Sequence, residues 1–391
     1  MILALFFTRG VSLREWVNKG LFDREKLLYE YHLKQGNLSS VFWLTYGSTD
    51  FQLAKELKKD GRLDKRIQVI ERPRWFPHGR LGAWLYSFAL PFVNRSILRY
   101  VDILKTNQMD GAWSAWIAAK FLQKPLLLRT GYTKSFLVRK QYGNGFRYLF
   151  YRCVECSLYR TCNSSTVSSQ HDREYVCSSF GIESTKVHLL PNFVATDRFR
   201  CEVPLSRRAN RLLFVGRLHP EKNIENLIRA LPSIDIGLDI FGDGQPSEIE
   251  RLLKISESLK ADVVMKGMVS NSEMPGILGQ YKYFILPSLY EGNPKALIEA
   301  MACGLVCIGT KVPGIEEILS DGLTGIVCKG TGKEDLLEGL RRALVCRHVE
   351  LAMAARNYAV EKFSLAKIAS LEKIIMNTLR YGQQSINLAG R

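Results

Sequence analysis

Tyr283-Phe284-Ile285-Leu286-Pro287-Ser288-Leu289-Tyr290-Glu291-Gly292-Asn293-Pro294-Lys295-Ala296-Leu297-Ile298-Glu299-Ala300-Met301-Ala302-Cys303-Gly304-Leu305-Val306-Cys307-Ile308-Gly309 is the stretch that decides the fold. The apolar run Tyr283–Leu286 reads as a buried strand and Val306–Gly309 as a second. Between them lies a helix over Lys295–Ala302, with Pro294 suited to its first turn. A strand, a helix and a strand in that order predict a parallel sheet with helices on its faces.

The same alternation continues in both directions. Upstream, Leu212–Val215, Leu238–Phe241 and Val263–Lys266 read as strands, with helices around Glu225–Ala230, Glu248–Leu259 and Met274–Leu278. A separate series precedes it, with strands at Ile2–Phe7, Val41–Tyr46, Ile67–Ile70, Val101–Lys105, Leu126–Arg129 and Val187–Leu190. Its helices are expected at Arg24–Leu33, Ala112–Phe121 and Phe136–Arg147. The polar stretch Asp197–Ala209 reads as a linker, and the chain from Lys333 onward reads as mostly helical. The expectation is an α/β protein of two doubly wound domains, 1–200 and 201–364. The last helix, 365–391, would pack back on the first domain. Ligands in open α/β sheets bind at the carboxyl ends of the strands.

At 391 residues the chain is long enough for two such domains. Its 46% hydrophobic content excludes a disordered protein. The formal charge of +17 is unevenly placed. Residues 1–200 hold 31 basic and 16 acidic side chains, and residues 201–391 hold 24 and 22. The first domain is therefore expected to face an anionic partner. Its charge-free stretch Leu81–Asn94 is too short to span a bilayer. It reads either as a buried helix or as a face that dips into a membrane surface. Arg72, Arg74, Trp75, Phe76, Arg80, Trp84, Tyr86, Phe88, Arg95 and Arg99 mix cations with rings, as an anionic lipid interface requires.

Nine cysteines are present. Cys153, Cys156, Cys162 and Cys177, with His171, supply one C-x-x-C pair but not two knuckles, and that pair falls in a helix. Buried free thiols are expected rather than a zinc site. The odd count, with no leader read at the apolar start, fits a reducing cytoplasm.

Three loops of the second domain carry chemistry. Gly216-Arg217-Leu218-His219-Pro220-Glu221-Lys222-Asn223 follows a strand and offers Arg217 and Lys222 to a diphosphate, or is a solvated basic loop. Gly242-Asp243-Gly244 follows another strand, as a weak phosphate-loop signal or a simple turn. The third loop holds Glu291, with Glu299 on the helix after it. Two carboxylates can grip the vicinal hydroxyls of two polyols, as in a nucleotide sugar. A helix-face pair with Lys295 is the plainer reading of Glu299.

With these residues the chain resembles the retaining, nucleotide-sugar-dependent glycosyltransferases of family 4 (glycosyl transferases group 1), which have the GT-B fold of two Rossmann-like domains facing a cleft. The resemblance is densest over Leu212 to Val327. It rests on Glu291 and Glu299 at the family's spacing, on Arg217 and Lys222, on the segment Gly309 to Gly325 with Pro313-Gly314 and Glu316-Glu317, and on Leu190-Pro191-Asn192-Phe193-Val194. It implies that Arg217 and Lys222 hold the donor diphosphate, Glu291 contacts the transferred sugar, and Glu299 binds ribose. It also implies that the loop Asn293-Pro294-Lys295 touches the donor sugar through backbone amides. The first domain departs from the family. Thr8-Arg9-Gly10-Val11-Ser12 has one glycine where relatives have a Gly-rich loop near the phosphates. Thr130-Gly131 stands where they have His-Gly beside the sugar. Lys105-Thr106-Asn107-Gln108 is expected at the same cleft, binding acceptor hydroxyls.

The implied activity is of hexosyltransferase type: sugar transfer from a UDP- or GDP-sugar to a glycan or lipid-linked acceptor in cell-envelope polysaccharide synthesis. It implies no other cofactor and no metal. The implied place is cytoplasmic, peripheral on an anionic membrane surface. A nucleotide-sugar epimerase of the same architecture and a nucleic-acid-binding protein are the alternatives. The first lacks a clear acid/base pair and the second lacks a recognisable module, so no nucleic acid is expected as a partner.

Overall fold

The computed structural model describes residues 1–77, 79–131 and 133–389, leaving aside the side chains of 137, 140, 141 and 383–389. The chain divides into two compact units, Met1–Leu190 with Ala369–Arg391, and Pro191–Ile368.

The first unit is built on a parallel sheet. In chain order its strands are β1 (Ile2–Phe6), β2 (Ser40–Leu44), β3 (Ile67–Ile70), β4 (Ile103–Thr106), β5 (Leu126–Arg129), β6 (Ser164–Val167) and β7 (Val187–Leu189). They lie side by side as β3-β2-β1-β4-β5-β6-β7. β1 pairs with both β2 and β4, so Leu5 sits opposite Trp43 on one side and Lys105 on the other. Helices cover both faces. Phe7 stacks on Trp16 at 4.0 Å, and both rings meet Trp43. Fully burying each large apolar side chain contributes about 1.5–3 kcal/mol. Ile375, Met376 and Leu379 of the helix Leu365–Ala389 complete this core.

The second unit carries β8 (Ala209–Val215), β9 (Leu238–Phe241), β10 (Val263–Gly267), β11 (Tyr281–Leu286), β12 (Val306–Gly309) and β13 (Ile326–Val327). Their order is β10-β9-β8-β11-β12-β13, and all are parallel. The opening stretch of sequence folds as read: β11, a loop, the helix Lys295–Ala302, and β12 paired to β11. Pro294 stands at the N-cap, one position before the helix, with φ −72° and ψ 107°. Each unit is thus a Rossmann-like layer structure, and the two together make the GT-B architecture.

Several expectations need correction. The division falls between Leu190 and Pro191 rather than at 200. The supposed linker Asp197–Ala209 folds onto the second unit, where Arg208 donates to the carbonyls of Cys303 and Gly304 at 3.1 Å each. The helix expected over Phe136–Arg147 is two helices, Lys134–Tyr142 and Phe146–Thr161, broken at Gly143 with φ +71°. Cys153 is an exposed thiol on the outer face of the second of these, not a buried one.

Leu81–Asn94 is mostly helix, with one face buried and the other exposed. The helix Gly79–Val93 buries Gly82, Tyr86, Ser87, Leu90 and Pro91, and exposes Leu81, Trp84, Leu85, Phe88 and Phe92. Of the mixed cation and ring set, Arg72, Phe76 and Tyr86 turn inward. Arg74, Trp75, Arg80, Arg95 and Arg99 remain outside.

Candidate functional site

At the carboxyl edge of the second sheet, hydrogen bonds stitch three loops into one floor. The loop after β8 ends in Asn223, whose left-handed backbone (φ 57°) turns the chain into the helix Ile224–Ala230. Asn223 donates from its amide to the carbonyls of Pro287 and Thr331, at 2.9 and 2.8 Å. The Leu289 amide donates to the Glu221 carbonyl at 2.8 Å. The Thr310 hydroxyl, beyond β12, donates to the Ser288 carbonyl at 2.6 Å.

Lys222 and Glu291 meet on this floor. Lys222 Nζ lies 2.5 Å from Glu291 Oε1, and the Ser288 hydroxyl donates to the same oxygen at 2.7 Å. The lysine side chain is 23% exposed and the glutamate 10%. Arg217 is exposed on the same loop as Lys222, and no carboxylate pairs with it among the described residues. Glu299 is 8% exposed on the helix Lys295–Ala302. The paired arrangement presents one free guanidinium, one ammonium already neighboured by a carboxylate, and a buried carboxylate on the adjoining helix.

Backbone approach explains the glycines. A Cβ on Gly242 would stand 1.8 Å from the Gly216 carbonyl oxygen, so the turns after β8 and β9 can touch only as glycine. A Cβ on Gly314 would lie 2.3 Å from the Glu291 carbonyl oxygen, so the helix Pro313–Glu316 sits directly against the Glu291-Gly292 loop. Gly242 therefore has a packing reason of its own.

Asn293 is locked. Its Oδ1 accepts from the Asn192 amide at 2.8 Å, and its carbonyl accepts from Asn192 Nδ2 at 2.7 Å. The Lys295 ammonium lies over the Phe193 ring at 5.1 Å. Asn192 and Phe193 thus fix the 293–295 loop. Ser288, Thr310 and Asn223 hold this site and were not singled out from sequence.

The first unit departs more. Lys105 is fully buried and cannot meet an acceptor. Its ammonium contacts Glu372 Oε1 at 2.5 Å and Tyr29 Oη at 3.3 Å, while Glu372 Oε2 lies 3.0 Å from His32 Nε2. Burial opposes the charge on Glu372, but the Lys105 ammonium and the His32 contact outweigh it. The carboxyl is held well below its ordinary range. Thr106 Oγ1 donates to the Arg129 carbonyl at 3.1 Å, the Asn107 carbonyl accepts from Arg129, and Gln108 Oε1 accepts from the Gly131 amide. Lys105 and Thr106 of the supposed acceptor segment are thus spent inside the fold, and Gln108 is tied to Gly131.

Thr130 is 2% exposed and its hydroxyl meets Tyr159 Oη at 3.0 Å, so its side chain is not offered to a sugar. Below it Glu155 accepts from the amides of Lys134 and Ser135 at 2.7 and 3.1 Å, pinning the start of the helix Lys134–Tyr142. Burial pushes the Glu155 carboxyl up to about 7. Gly10, with φ +78°, lines a cavity beside Arg9.

Among the described residues no three His, Cys, Asp or Glu side chains gather as metal ligands. No described helix is long and apolar enough to cross a membrane.

Residues 34–198 match the family model "Glycosyltransferase Family 4", and residues 196–362 match "Glycosyl transferases group 1". An uncharacterized glycosyltransferase of Methanocaldococcus jannaschii is 28% identical over 48% of this chain, and the chain spans 52% of that protein's length. For two further curated relatives the chain spans 36% and 55% of their length. The Escherichia coli UDP-Gal:alpha-D-GlcNAc-diphosphoundecaprenol alpha-1,3-galactosyltransferase is 24% identical over 68% of this chain and 72% of its own. HepE of Anabaena, whose crystal structure holds UDP and glucose, shares the fold with a TM-score of 0.75 at 15% identity, over 97% of this chain and 100% of that one. By fold and by sequence, this chain is a GT-B protein related to the glycosyltransferases grouped as family 4 and group 1.

Proposed function

We propose that the protein is a retaining glycosyltransferase that moves a sugar from a UDP- or GDP-sugar to a glycan or lipid-linked acceptor in cell-envelope polysaccharide synthesis. The observation that carries this reading is the contact between Lys222 and Glu291, formed across two loops, with Arg217 exposed on the same loop as Lys222. In this reading Arg217 and Lys222 take the donor diphosphate, and Glu299 takes the ribose hydroxyls. Glu291 takes hydroxyls of the transferred sugar, with the Asn293–Lys295 backbone amides alongside. Bound phosphate would compete with Glu291 for the Lys222 ammonium, freeing the carboxylate to turn toward the sugar.

In the reaction the bond from the anomeric carbon to the diphosphate oxygen breaks, and a bond to the acceptor oxygen forms on the same face. The released phosphate oxygen accepts the acceptor's proton. The two cations and backbone N–H groups stabilise the negative charge that develops on the departing diphosphate. HepE with UDP and glucose, and the galactosyltransferase with its diphosphoundecaprenol-linked acceptor, are relatives consistent with such a donor and acceptor.

The site of action in this reading is the cytoplasmic surface of an anionic membrane. Support comes from the apolar face of the helix Gly79–Val93, with Leu81 69%, Leu85 48% and Phe92 50% exposed, and from exposed Arg74, Arg95 and Arg99 nearby. The direct test is a panel of UDP- and GDP-sugars scored by binding and by slow donor hydrolysis. One nucleoside diphosphate sugar is expected to bind and hydrolyse. Binding of none, or conversion of the sugar to its epimer without an acceptor, would overturn the reading.

A further inference from the structure

The helix Phe146–Thr161 carries a recess of about 410 Å³, lined by Arg152, Cys153, Cys156, Ser157, Arg160 and Thr161. These positions recur at spacings of three and four, so they form one stripe of the helix. The recess shares no residue with the cavity beside Arg9.

Two thiols sit in it. Of the nine cysteines Cys153 is the exposed one, and Cys156, one turn on, is half-buried. Burial pushes the thiols of Cys162, Cys303 and Cys328 up to about 12, which leaves them protonated and poor nucleophiles. The recess therefore holds the most accessible thiol of the chain beside a second.

Two guanidiniums share the recess, and among the described residues neither has a carboxylate partner. Arg152 donates to the Tyr148 phenol at 2.9 Å and to the Ser179 carbonyl at 3.4 Å. Arg160 donates to the Phe180 carbonyl at 3.2 Å. All three acceptors are neutral, so the positive charge is left to act on the thiols. The Tyr148 phenol, and more weakly the Cys156 thiol, hold the Arg152 guanidinium above its ordinary value. Cations beside a thiol favour its thiolate and draw in an anionic reagent.

The two cysteines also bracket Glu155, whose carboxylate accepts from the Lys134 and Ser135 amides at 2.7 and 3.1 Å. Cβ atoms three residues apart on a helix are separated by about 5–6 Å. A disulfide needs roughly 3.5–4.5 Å. Joining Cys153 to Cys156 therefore distorts the helix at Val154 and Glu155. A bond strained in this way is readily reduced again.

We propose that Cys153 and Cys156 are a redox-active pair that reacts with the disulfide of a small anionic thiol. The Cys153 thiolate attacks one sulfur of that reagent, whose S–S bond breaks, and the departing thiolate takes up the proton that Cys153 released. Cys156 then attacks the Cys153 sulfur, and its proton goes to the second departing thiol. Two protein thiols are oxidised to one disulfide, and one small disulfide is reduced to two thiols. The closing bond pulls Glu155 from the Lys134 and Ser135 amides and loosens the start of the helix Lys134–Tyr142.

Glutathione disulfide is the probe. Cystamine, with the same S–S bond between cationic ends, is its counterpart. The reduced full chain is treated with each, quenched, and read by intact mass and peptide mapping. Glutathione disulfide is expected to react faster and to yield the bond between Cys153 and Cys156. Cys156→Ser should accumulate one glutathione on Cys153, and Cys153→Ser should give neither product. Arg152→Gln with Arg160→Gln should slow glutathione disulfide by about tenfold without slowing cystamine. The comparison of the two reagents on the unaltered chain decides the matter even if that variant does not fold. Hydrogen exchange of the Lys134 and Ser135 amides should quicken once the Cys153 to Cys156 bond has formed.

Cystamine reacting as fast as glutathione disulfide would overturn the proposal. So would first reaction at another cysteine, or a mixed disulfide on Cys153 that Cys156 never resolves. Unchanged exchange in the chain that carries the new bond would overturn the link through Glu155.

Discussion

The carboxyl edges of the two sheets are built on opposite plans. In the second unit the loops are tied to one another, and the ammonium of Lys222 is already matched by Glu291. In the first unit the edge is a wide cavity where cations from several loops face one another and rings fill the gaps. The interiors differ too. The second unit places Asp239 at its margin with Arg211 and Tyr281, at 2.7 and 2.6 Å. The first encloses Lys105, Glu372 and His32 entirely. A preset, nearly neutral floor suits a ligand of constant chemistry, such as a nucleoside diphosphate. A cavity lined mainly by basic side chains makes binding depend on the charge its occupant brings.

The largest expected effect probes the buried charges of the first unit. Glu372→Gln leaves the Lys105 ammonium buried without its counter-charge, a loss of about 3–5 kcal/mol. Urea unfolding followed by fluorescence measures it. The Lys105→Met, Glu372→Leu double variant should recover most of the loss, and a double variant as unstable as the single one would contradict the ion-pair account. The pH dependence has a definite sign. The folded Glu372 carboxyl is held below its unfolded value of about 4.3, so its contribution is present above that pH. It disappears as pH falls toward the depressed folded value. Glu372→Gln should therefore flatten the acid limb of the stability curve.

Next comes the floor of the second unit. Glu291→Gln should lower turnover by about 10²–10³ while nucleotide binding changes little, the scale seen when one preorganised transition-state contact is removed. Steady-state kinetics with a saturating donor decide it, and near-normal turnover would remove Glu291 from its assigned role.

A smaller effect tests the exposed face of the first unit. Arg74→Gln, Arg95→Gln and Arg99→Gln together should weaken binding to phosphatidylglycerol vesicles by roughly a hundredfold, at about 1 kcal/mol for each surface cation. Flotation of vesicles with the variant measures it. Binding that survives would detach the charge asymmetry from the membrane.

Much of the second unit was legible because its signals are local. An apolar run, a loop and a helix follow one another in the chain, and Glu291 and Glu299 fall at a readable spacing. The first unit hid more. β6, Ser164–Val167, is buried at all four positions but spelled Ser-Ser-Thr-Val, so no apolar run marks it. Lys105 ends a strand in a way that suggests a binding segment. Its partner Glu372 stands in the last helix, beyond the whole second unit. That Asn192 occupies the side-chain oxygen and the carbonyl of Asn293 is likewise not written in either local stretch.

Sequence alone determined the two strand–helix series, the Arg217, Lys222, Glu291 and Glu299 set, and the concentration of positive charge in the first half. Each follows from local periodicity, spacing or counting. Tertiary structure decided that Lys222 meets Glu291, that Lys105 is spent inside the core, and which face of the helix Gly79–Val93 stays outside. It also gathered five cations around one cavity. These depend on strand order and on crossovers between distant segments, and local apolar patterns carry no record of which distant strands become neighbours.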